Sequence, residues 1–207
     1  MSEPAPRWQR RKQARPQEIL DAALAAFAAK GFAATRMEDI AERAGVTKGT
    51  IYLYFESKEA VFKSLVRESI GGQIEQVTKS IAAFEGKASD LLRFVLTTLN
   101  NFLQTSDRAV LPKIFLAEAG NFPELLRFYR EEIIDRGLRA MSGVVARGIA
   151  QGEFRKIDPE HGARLCIAPL LMSLIWRTTI AATDRGPFDY DAFLQTHLDT
   201  LLRGLAK

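Results

Sequence analysis

Residues 47–58, TKGTIYLYFESK, carry an unusual set of side chains for a short helical segment. Lysine, glycine, threonine and tyrosine predominate, whereas a surface helix selected for stability would favour alanine, glutamate and glutamine. Hydroxyl and ammonium groups hold phosphates and probe base edges, and a glycine lets the backbone approach a duplex closely. We therefore predict DNA contacts from nine residues in and near this segment: Thr35, Arg36, Thr47, Lys48, Gly49, Thr50, Tyr52, Tyr54 and Lys58.

Two short helices joined by a tight turn would position these side chains. Thr35 and Glu38 have the spacing of a capping box at the start of the first helix. Gly45 follows that helix at the position where a left-handed conformation ends it. Thr47 can cap the second helix, predicted from Lys48 to about Tyr54. Two helices across a glycine-containing turn form a helix-turn-helix, whose second helix enters the major groove of DNA.

The second helix needs a buried anchor, and a third helix follows it at once. Ile51 is the predicted anchor, with Leu53 and Phe55 as further candidates for the core. Ser57 can cap the next helix. Lys58 would lie in its first turn, where the positive end of the helix dipole favours a phosphate.

The string GVTKGTIYLYFESKEAVF resembles the DNA-binding signature of the tetracycline-repressor (TetR) family of bacterial transcriptional regulators. The resemblance covers roughly residues 16–66, and the rest of the chain matches only in helical character, length and order. It implies an all-α fold of about nine helices, a homodimer, and DNA binding switched by a small molecule. A dimer of this kind reads palindromic half-sites about one helical turn apart.

Charge and composition divide the chain into three segments. Residues 1–70 contain twelve Lys or Arg against nine Asp or Glu, and residues 71–207 contain seventeen against sixteen, so most of the net charge of +4 lies in the first third. We predict a basic, disordered arm over residues 1–15, which could follow the phosphate backbone or serve only as a solubilising tail. A helix-turn-helix domain over 16–62 and an effector-binding and dimerisation domain over 63–207 would follow.

The composition excludes several classes of protein. The chain has no run of 18 uncharged apolar residues and no apolar N-terminal segment, so neither a membrane span nor a secretory signal is expected. One cysteine, Cys166, cannot form an intramolecular disulfide and is consistent with a cytoplasmic protein. With two histidines and no phosphate-binding loop, dinucleotide fingerprint or nucleophile elbow, we predict no metal, no cofactor and no enzymatic activity.

Every segment after residue 80 has a helical pattern. The first helix of the chain is predicted from Pro16 to Lys30, and Gly71-Gly72 is a possible end or soft point of the fourth. The interior Pro169 is expected to kink the eighth helix. Further helices are predicted over residues 91–104, 108–119, 123–151, 158–182 and 191–204.

The last two helices have more apolar surface than one intramolecular contact would cover. Pairing with their symmetry mates in a four-helix bundle would bury the excess, although a purely intramolecular core is the other possibility. The predicted dimer interface consists of Leu171, Ile175, Leu194, Leu198, Leu201 and Leu202.

Aromatic residues concentrate in the middle helices, where polar side chains such as Asn100, Gln104 and Arg177 accompany them. A cavity lined by aromatic residues and a few polar groups suits an amphipathic or aromatic effector, although each aromatic residue taken alone could be a core residue. The predicted effector site consists of Phe94, Phe102, Phe115, Phe128, Tyr129 and Trp176.

The sequence therefore predicts a one-component transcriptional regulator, a repressor released from its operator by a small effector. The alternative is a DNA-binding architectural or partner-controlled protein that uses its second domain only for association. A solid second domain would favour that alternative, and clustered titratable groups there would favour an enzyme with a DNA-binding head.

Overall fold

The computed structural model describes residues 7–118, 120–184 and 186–207, without the side chains of residues 7–14. This part of the chain forms nine helices and one isolated β-bridge, between Phe154 and Ala206, with no strand. The prediction of an all-α fold with about nine helices is confirmed.

Four of the nine helices change their hydrogen-bonding pattern along their length. Helices α4, α7 and α8 each contain one π-helical segment, and two helices include a 3-10 turn. The helices are α1 (Arg7–Ala34), α2 (Met37–Arg43), α3 (Lys48–Tyr52), α4 (Lys58–Val66, π-helical Arg67–Gly71, then Gly72–Ala83), α5 (Ala88–Thr105), α6 (3-10 turn Asp107–Ala109, then Val110–Glu118), α7 (Pro123–Tyr129, π-helical Arg130–Ile134, then Asp135–Ala150), α8 (Pro159–Ile175, π-helical Trp176–Ile180, then 3-10 turn Ala181–Thr183) and α9 (Tyr190–Leu205).

Helix α1 begins earlier than the sequence predicts. It includes residues 7–15, which were expected to be a disordered arm, and Pro16 lies inside it instead of in its first turn. Residues 1–6 of that predicted arm lie outside the described residues. The predicted end is close to a real break, because Gly31 has φ 78° and interrupts the helix just before Ala34.

The chain divides into two compact units. The head unit contains the residues up to Ser69 together with Ile114–Phe128, and the body unit contains Ile70–Lys113 and Tyr129–Lys207. Both α4 and α6 therefore contribute residues to each unit. The boundary in α4 falls inside its π-helical segment, between Ser69 and Ile70 and one residue before the glycine pair at 71–72.

Three phenylalanines form the centre of the head unit. Phe27 of α1, Phe32 near its end and Phe62 of α4 are fully buried, and their ring centroids lie 5.3–5.8 Å apart. Ile40 of α2 and Ile51 of α3 are also completely buried. Few buried side chains thus fix the orientation of the two short helices: Met37, Ile40 and Ala41 in α2, and Ile51 in α3.

The core of the body unit is formed by α5, α7, α8 and α9. Leu91 and Leu96 of α5, Val145 of α7, Leu170 of α8 and Leu198 of α9 are at most 2% exposed and pack in one cluster. The single cysteine, Cys166, belongs to this cluster, and burial raises the pKa of its thiol to about 12. The side chain therefore remains a neutral thiol at physiological pH.

Helix α8 is unusually apolar. The segment Pro159–Thr183 is long and apolar enough to cross a membrane, judged by length and composition alone. Its most apolar 18 residues have a mean hydropathy of 1.6, and 22% of them are buried. The core helices of soluble proteins meet the same criterion, so it is weak evidence for a membrane span. Its start matches the prediction, because Asp158 accepts hydrogen bonds from the N–H groups of Glu160 and His161.

Two glycines of α7 should respond in opposite ways to the same substitution. A Cβ at Gly148 would overlap with the buried ring of Phe154, so Gly148→Ala overpacks the core. We expect a loss of roughly 1–3 kcal/mol, which lowers the thermal midpoint by about 2–4 °C per kcal/mol. A Cβ at the exposed Gly143 meets nothing within 4 Å, so Gly143→Ala should stabilise the helix by up to about 1 kcal/mol. Thermal unfolding followed by circular dichroism checks both, and two shifts of the same sign would contradict this packing.

Candidate nucleic-acid interface

The turn between α2 and α3 has the geometry that its sequence predicts. Gly45 has φ 62°, its N–H donates to the carbonyl of Glu42, and the N–H of Val46 donates to that of Ala41. This pair of bonds satisfies the last carbonyls of α2 and reverses the chain. The left-handed conformation at Gly45 is strained for any residue with a Cβ.

Thr47 caps α3 as predicted. Its hydroxyl accepts from the N–H of Thr50 at 3.2 Å, and the two threonine hydroxyls lie 2.9 Å apart. Ile51 is the confirmed anchor, and Phe55 is also buried at 8% exposure. Leu53 was a candidate for this core, but it is 80% exposed, because it lies at the C-terminal end of α3 on the side opposite Ile51.

The outward side of α3 carries most of the residues predicted to contact DNA. Thr47, Lys48 and Gly49 are exposed, Tyr52 is 46% exposed, and Thr50 and Tyr54 are half-buried. Arg36 is exposed at the start of α2, where its N–H donates to the carboxylate of Asp39 at 2.8 Å. The structure thus brings a cation, hydroxyls and an open glycine onto one short surface, which we call the α3 face (Thr47 to Leu53).

Lys48 is paired with Glu38 of α2 across the turn. The Lys48 Nζ lies 2.5 Å from the carboxylate, and both side chains are more than half exposed. This hydrogen bond raises the pKa of Lys48 and lowers that of Glu38. An exposed pair of this kind is weak in water, so a DNA phosphate can replace the carboxylate as the partner of Lys48.

Thr35, one of the residues predicted to contact DNA, has a buried side chain, and it does not cap α2. It is 1% exposed, and its hydroxyl donates to the carbonyl of Gly31 at 2.7 Å. The helix break at Gly31 leaves that carbonyl without a helical partner, so a buried hydroxyl is needed there. Asp39 supplies the carboxylate at the start of α2 instead of Glu38.

Lys58, which the sequence predicts to bind a phosphate, makes its hydrogen bonds within the protein. Its Nζ donates to the carbonyls of Phe32 at 2.7 Å and Ala33 at 3.1 Å, and it lies 4.5 Å from the centroid of the Phe32 ring. Partial burial lowers the pKa of this ammonium. Lys58 therefore holds the carbonyl end of α1, a contact between residues 25 and 26 positions apart in sequence.

Glu118, at the end of α6, contacts the same end of α1. Its carboxylate accepts from the N–H of Ala33 at 3.0 Å and from the side-chain amide of Asn121 at 3.3 Å. Phe122 packs edge-on against Phe32, with ring centroids 5.0 Å apart. Lys58 and Glu118, which have opposite charges, thus both form hydrogen bonds to the backbone of the short stretch after the break at Gly31. We call Lys58, Glu118 and Phe122 the α1 clamp.

The six aromatic residues predicted to line one effector cavity are divided between the two units. Phe115 and Phe128 are buried in the head unit, where Phe128 lies beneath the cations of Lys63 and Arg67. In the body unit Phe94 is exposed, Phe102 packs against the core, and Tyr129 is buried, which raises the pKa of its phenol. Trp176 is 37% exposed, and its indole N–H donates to Asp184.

The body unit has an open apolar groove of about 560 Å³ between α8, the following loop and α9. Trp176 is the one predicted effector residue among those lining it. The lining consists of Pro169, Met172, Ser173, Trp176, Asp184, Gly186, Pro187, Phe188 and Phe193.

The residues predicted to form the dimer interface differ in how far one protomer exposes them. Leu194 and Leu198 are 3% and 2% exposed and belong to the core of one protomer, while Leu201 and Leu202 pack partly against it. Ile175 is half-buried, and Leu171 is 40% exposed. Helix α8 instead exposes Leu165 (65%), Met172 (51%) and Trp176 at spacings of seven and four residues, so they follow one another along one side of the helix.

Comparisons with known proteins cover both units. A family model described as "Bacterial regulatory proteins, tetR family" matches residues 19–65, and one described as "Tetracyclin repressor-like, C-terminal domain" matches residues 86–188. The Fatty acid metabolism regulator protein of Bacillus subtilis is 31% identical over 94% of this chain and 98% of its own length. The repressor KstR2 of Rhodococcus jostii is 28% identical over 94% and 93%. A crystal structure of FadR from Bacillus subtilis in complex with stearoyl-CoA superposes with a TM-score of 0.75, at 27% identity, over 91% of this chain and 98% of that one.

Proposed function

Because the chain belongs to the TetR family of bacterial regulatory proteins, we propose that it is a homodimeric repressor that binds a palindromic operator through the α3 face. It is a DNA-binding transcriptional regulator that responds to a small molecule. In our proposal, a small amphipathic or aromatic effector binds the body unit and releases the repressor from the operator. The observation that carries the proposal is the α3 face itself. Lys48, Gly49 and Tyr52 are exposed on a helix whose opposite side is fully buried at Ile51.

The α3 face has the chemistry that reading a duplex requires. Lys48 can hold a phosphate, while threonine and tyrosine hydroxyls can donate to and accept from base edges or phosphates. Gly49 presents no side chain between them, so the helix backbone can approach the floor of the groove. Arg36 lies at the start of α2, where an exposed guanidinium suits a backbone phosphate.

The α1 clamp is the element that would couple effector binding to this face. Helix α6 has residues in both units, and Glu118 at its end accepts directly from the end of α1. A ligand that displaces α6 would change this contact and the position of α1, on which α2 and α3 depend. With α4 continuing from the head unit, such a change would alter the spacing of the two recognition helices in a dimer. The regulation can be no larger than the differential affinity of the effector for the two states.

The relatives support an amphipathic effector. One similar crystal structure contains stearoyl-CoA, which combines an acyl chain with a polar, charged end. Another relative is named as a repressor. Groups of both kinds are present in the body unit of this chain, which contains apolar side chains beside Asn100, Gln104 and Arg177.

A DNA-binding architectural or partner-controlled protein remains the second candidate, because the exposed apolar side of α8 also suits pure association. We further propose that the protein acts in the cytoplasm and has no enzymatic activity, in keeping with relatives that are transcriptional regulators.

Selection of bound duplexes from a random-sequence pool by the purified dimer tests the proposal. The expected result is an inverted repeat whose half-sites lie about one helical turn apart, and loss of its recovery when Lys48→Met replaces wild type. Recovery of duplexes without any shared sequence would favour the architectural alternative.

Leu53 allows a finer prediction about the sequence of that operator. An aliphatic side chain at a duplex surface contacts thymine through its C5 methyl group, so one thymine in each half-site should lie against Leu53. Replacing that thymine by uracil removes one methyl and should weaken binding by about 0.8 kcal/mol, roughly fourfold per half-site. The variant Leu53→Ala should bind thymine and uracil operators equally, as measured by fluorescence anisotropy. Equal binding of both operators by wild type at every thymine would contradict this role.

A further inference from the structure

Three buried nitrogen atoms of the body unit donate no hydrogen bond. They are Nδ2 of Asn100, Nε2 of Gln104 and Nε of Arg177. Asn100 is only 2% exposed, and Gln104 follows it by one turn on the same side of α5. The Tyr190 hydroxyl is the other buried side-chain atom without a partner in the described part of the chain. Each of the three nitrogens can only donate, so the group that satisfies them must supply acceptor oxygens.

The same region contains two cations that form no ion pair among the described residues. The guanidinium of Arg177 donates through Nη2 to the carbonyl of Leu103, next to Gln104, and Lys113 donates to the carbonyl of Thr178, next to Arg177. Both cations are half-buried. Within residues 7–118, 120–184 and 186–207 neither forms an ion pair with Asp or Glu, although buried charges are normally paired.

The backbone of α8 departs from α-helical geometry at this place. The π-helical segment Trp176–Ile180 contains both Arg177 and Thr178. Short π-helical segments inside α-helices occur frequently at functional sites. The apolar neighbours of these groups are the core residues Leu103 of α5 and Leu174 of α8, both at most 2% exposed.

We propose that Asn100, Gln104 and Arg177 form the polar end of an effector site that binds the acyl oxygens of an amphipathic acid. The two amides and the guanidinium would supply the donors, Lys113 and Arg177 the compensating charge, and the apolar core residues the contacts to the hydrocarbon body. A guanidinium binds a carboxylate with two parallel hydrogen bonds, which a neutral alcohol of the same length cannot reproduce. The inference rests on the proposed function and specifies the effector class of that regulator.

Binding of matched probes to the full-length protein tests the site. Octanoate, octanol and octanoyl-CoA share one hydrocarbon chain and differ at the polar end. Isothermal titration should give an affinity for octanoate at least about tenfold higher than for octanol, because only the acid supplies charged acceptors. Tighter binding of octanoate than of octanoyl-CoA is expected, and the reverse order would contradict the site, because the acyl end of a thioester has one neutral carbonyl oxygen and no carboxylate for the guanidinium to bind. Equal binding of acid and alcohol, or binding of none of the three, would overturn the proposal and leave ordered water as the partner of these donors.

Single-residue variants test whether the preference for octanoate over octanol depends on Arg177. In Arg177→Met the preference for octanoate over octanol should fall to less than about twofold, and Arg177→Lys should keep part of it. Arg164→Met, which removes an exposed arginine of the same helix, should leave the preference unchanged. If Arg177→Met fails to fold, Gln104→Leu and the shift of the Arg177 Nε–H resonance on adding octanoate to wild type decide the question. An unchanged preference in the variants, or an unmoved resonance, contradicts the site.

The same titrations separate this inference from the proposed function. Octanoate that binds through Arg177 without releasing operator DNA would support the site and count against the effector-controlled repressor. Release of DNA by a ligand that binds equally well to Arg177→Met would support the repressor and overturn the site.

Discussion

Gly49→Val is expected to abolish operator binding while leaving the fold intact. The glycine is exposed at the second position of α3, and a Cβ there would meet only the Thr47 hydroxyl, at an ordinary 3.9 Å. The protein itself therefore has room for a side chain. In the proposed docking the α3 face approaches DNA at this point, so the added isopropyl group would hold the helix away from the groove and weaken the neighbouring contacts to DNA. We expect the affinity to fall by about 100-fold or more, equivalent to roughly 2.7 kcal/mol.

The thermal midpoint separates this effect from a packing defect. Valine is a better helix former than glycine, so the midpoint of Gly49→Val should be unchanged or slightly raised. Gly72→Val is the matched control, because Gly72 of α4 is also exposed with nothing within 4 Å of a Cβ. It should bind the operator like wild type. If Gly49→Val lost stability together with binding, Gly49 would be a packing residue and the proposed docking would be wrong.

The double variant Leu165→Glu, Met172→Glu is expected to be monomeric. These residues are 65% and 51% exposed on one side of α8, next to Trp176, and a dimer would bury them. Two facing carboxylates per protomer would bring four like charges into an apolar interface, which is strongly unfavourable. Because a dimer binds two half-sites at once, its dissociation into monomers should lower the affinity for the operator by about 10²- to 10⁴-fold.

Light scattering coupled to gel filtration measures the change. Leu126→Glu, at a 41% exposed leucine of α7 in the head unit, should remain dimeric and serves as the control. A dimeric double variant would place the interface elsewhere. The equivalent substitutions at Leu194 and Leu198 would be uninformative, because these side chains are part of the protomer core and charges there would unfold it.

Local signals in the sequence were sufficient for the helix-turn-helix. The caps at Thr47 and Ser57 and the left-handed Gly45 depend on neighbours within three or four residues, and each is present in the structure. The roles of Thr35 and Lys58 could not be read in this way. Both bond to carbonyls near the break at Gly31, and Lys58 reaches across more than twenty residues to do so. The sequence pattern placed both polar side chains where a ligand could bind, but in the fold each donates hydrogen bonds to backbone carbonyls of the protein itself.

The body unit was harder to predict for a related reason. Helix α9 is apolar on more than one side, and only packing decides that Leu194 and Leu198 face the core of their own protomer. The polar residues Asn100, Gln104 and Arg177 were recognised from the sequence as possible ligand contacts. That three of their nitrogens have no acceptor depends on the surrounding helices and becomes visible only in the structure.

The three π-helical segments bear on how related sequences should align. A π turn holds one residue more than an α turn, so deleting one residue from Arg67–Gly71, Arg130–Ile134 or Trp176–Ile180 would restore regular α-helical hydrogen bonding. Deletion of one residue elsewhere in α4, α7 or α8 would rotate the following apolar stripe by about 100° out of its core. Single-residue gaps between this chain and its relatives should therefore concentrate in these three segments, where evolution could gain or lose a residue while the helix remained unbroken.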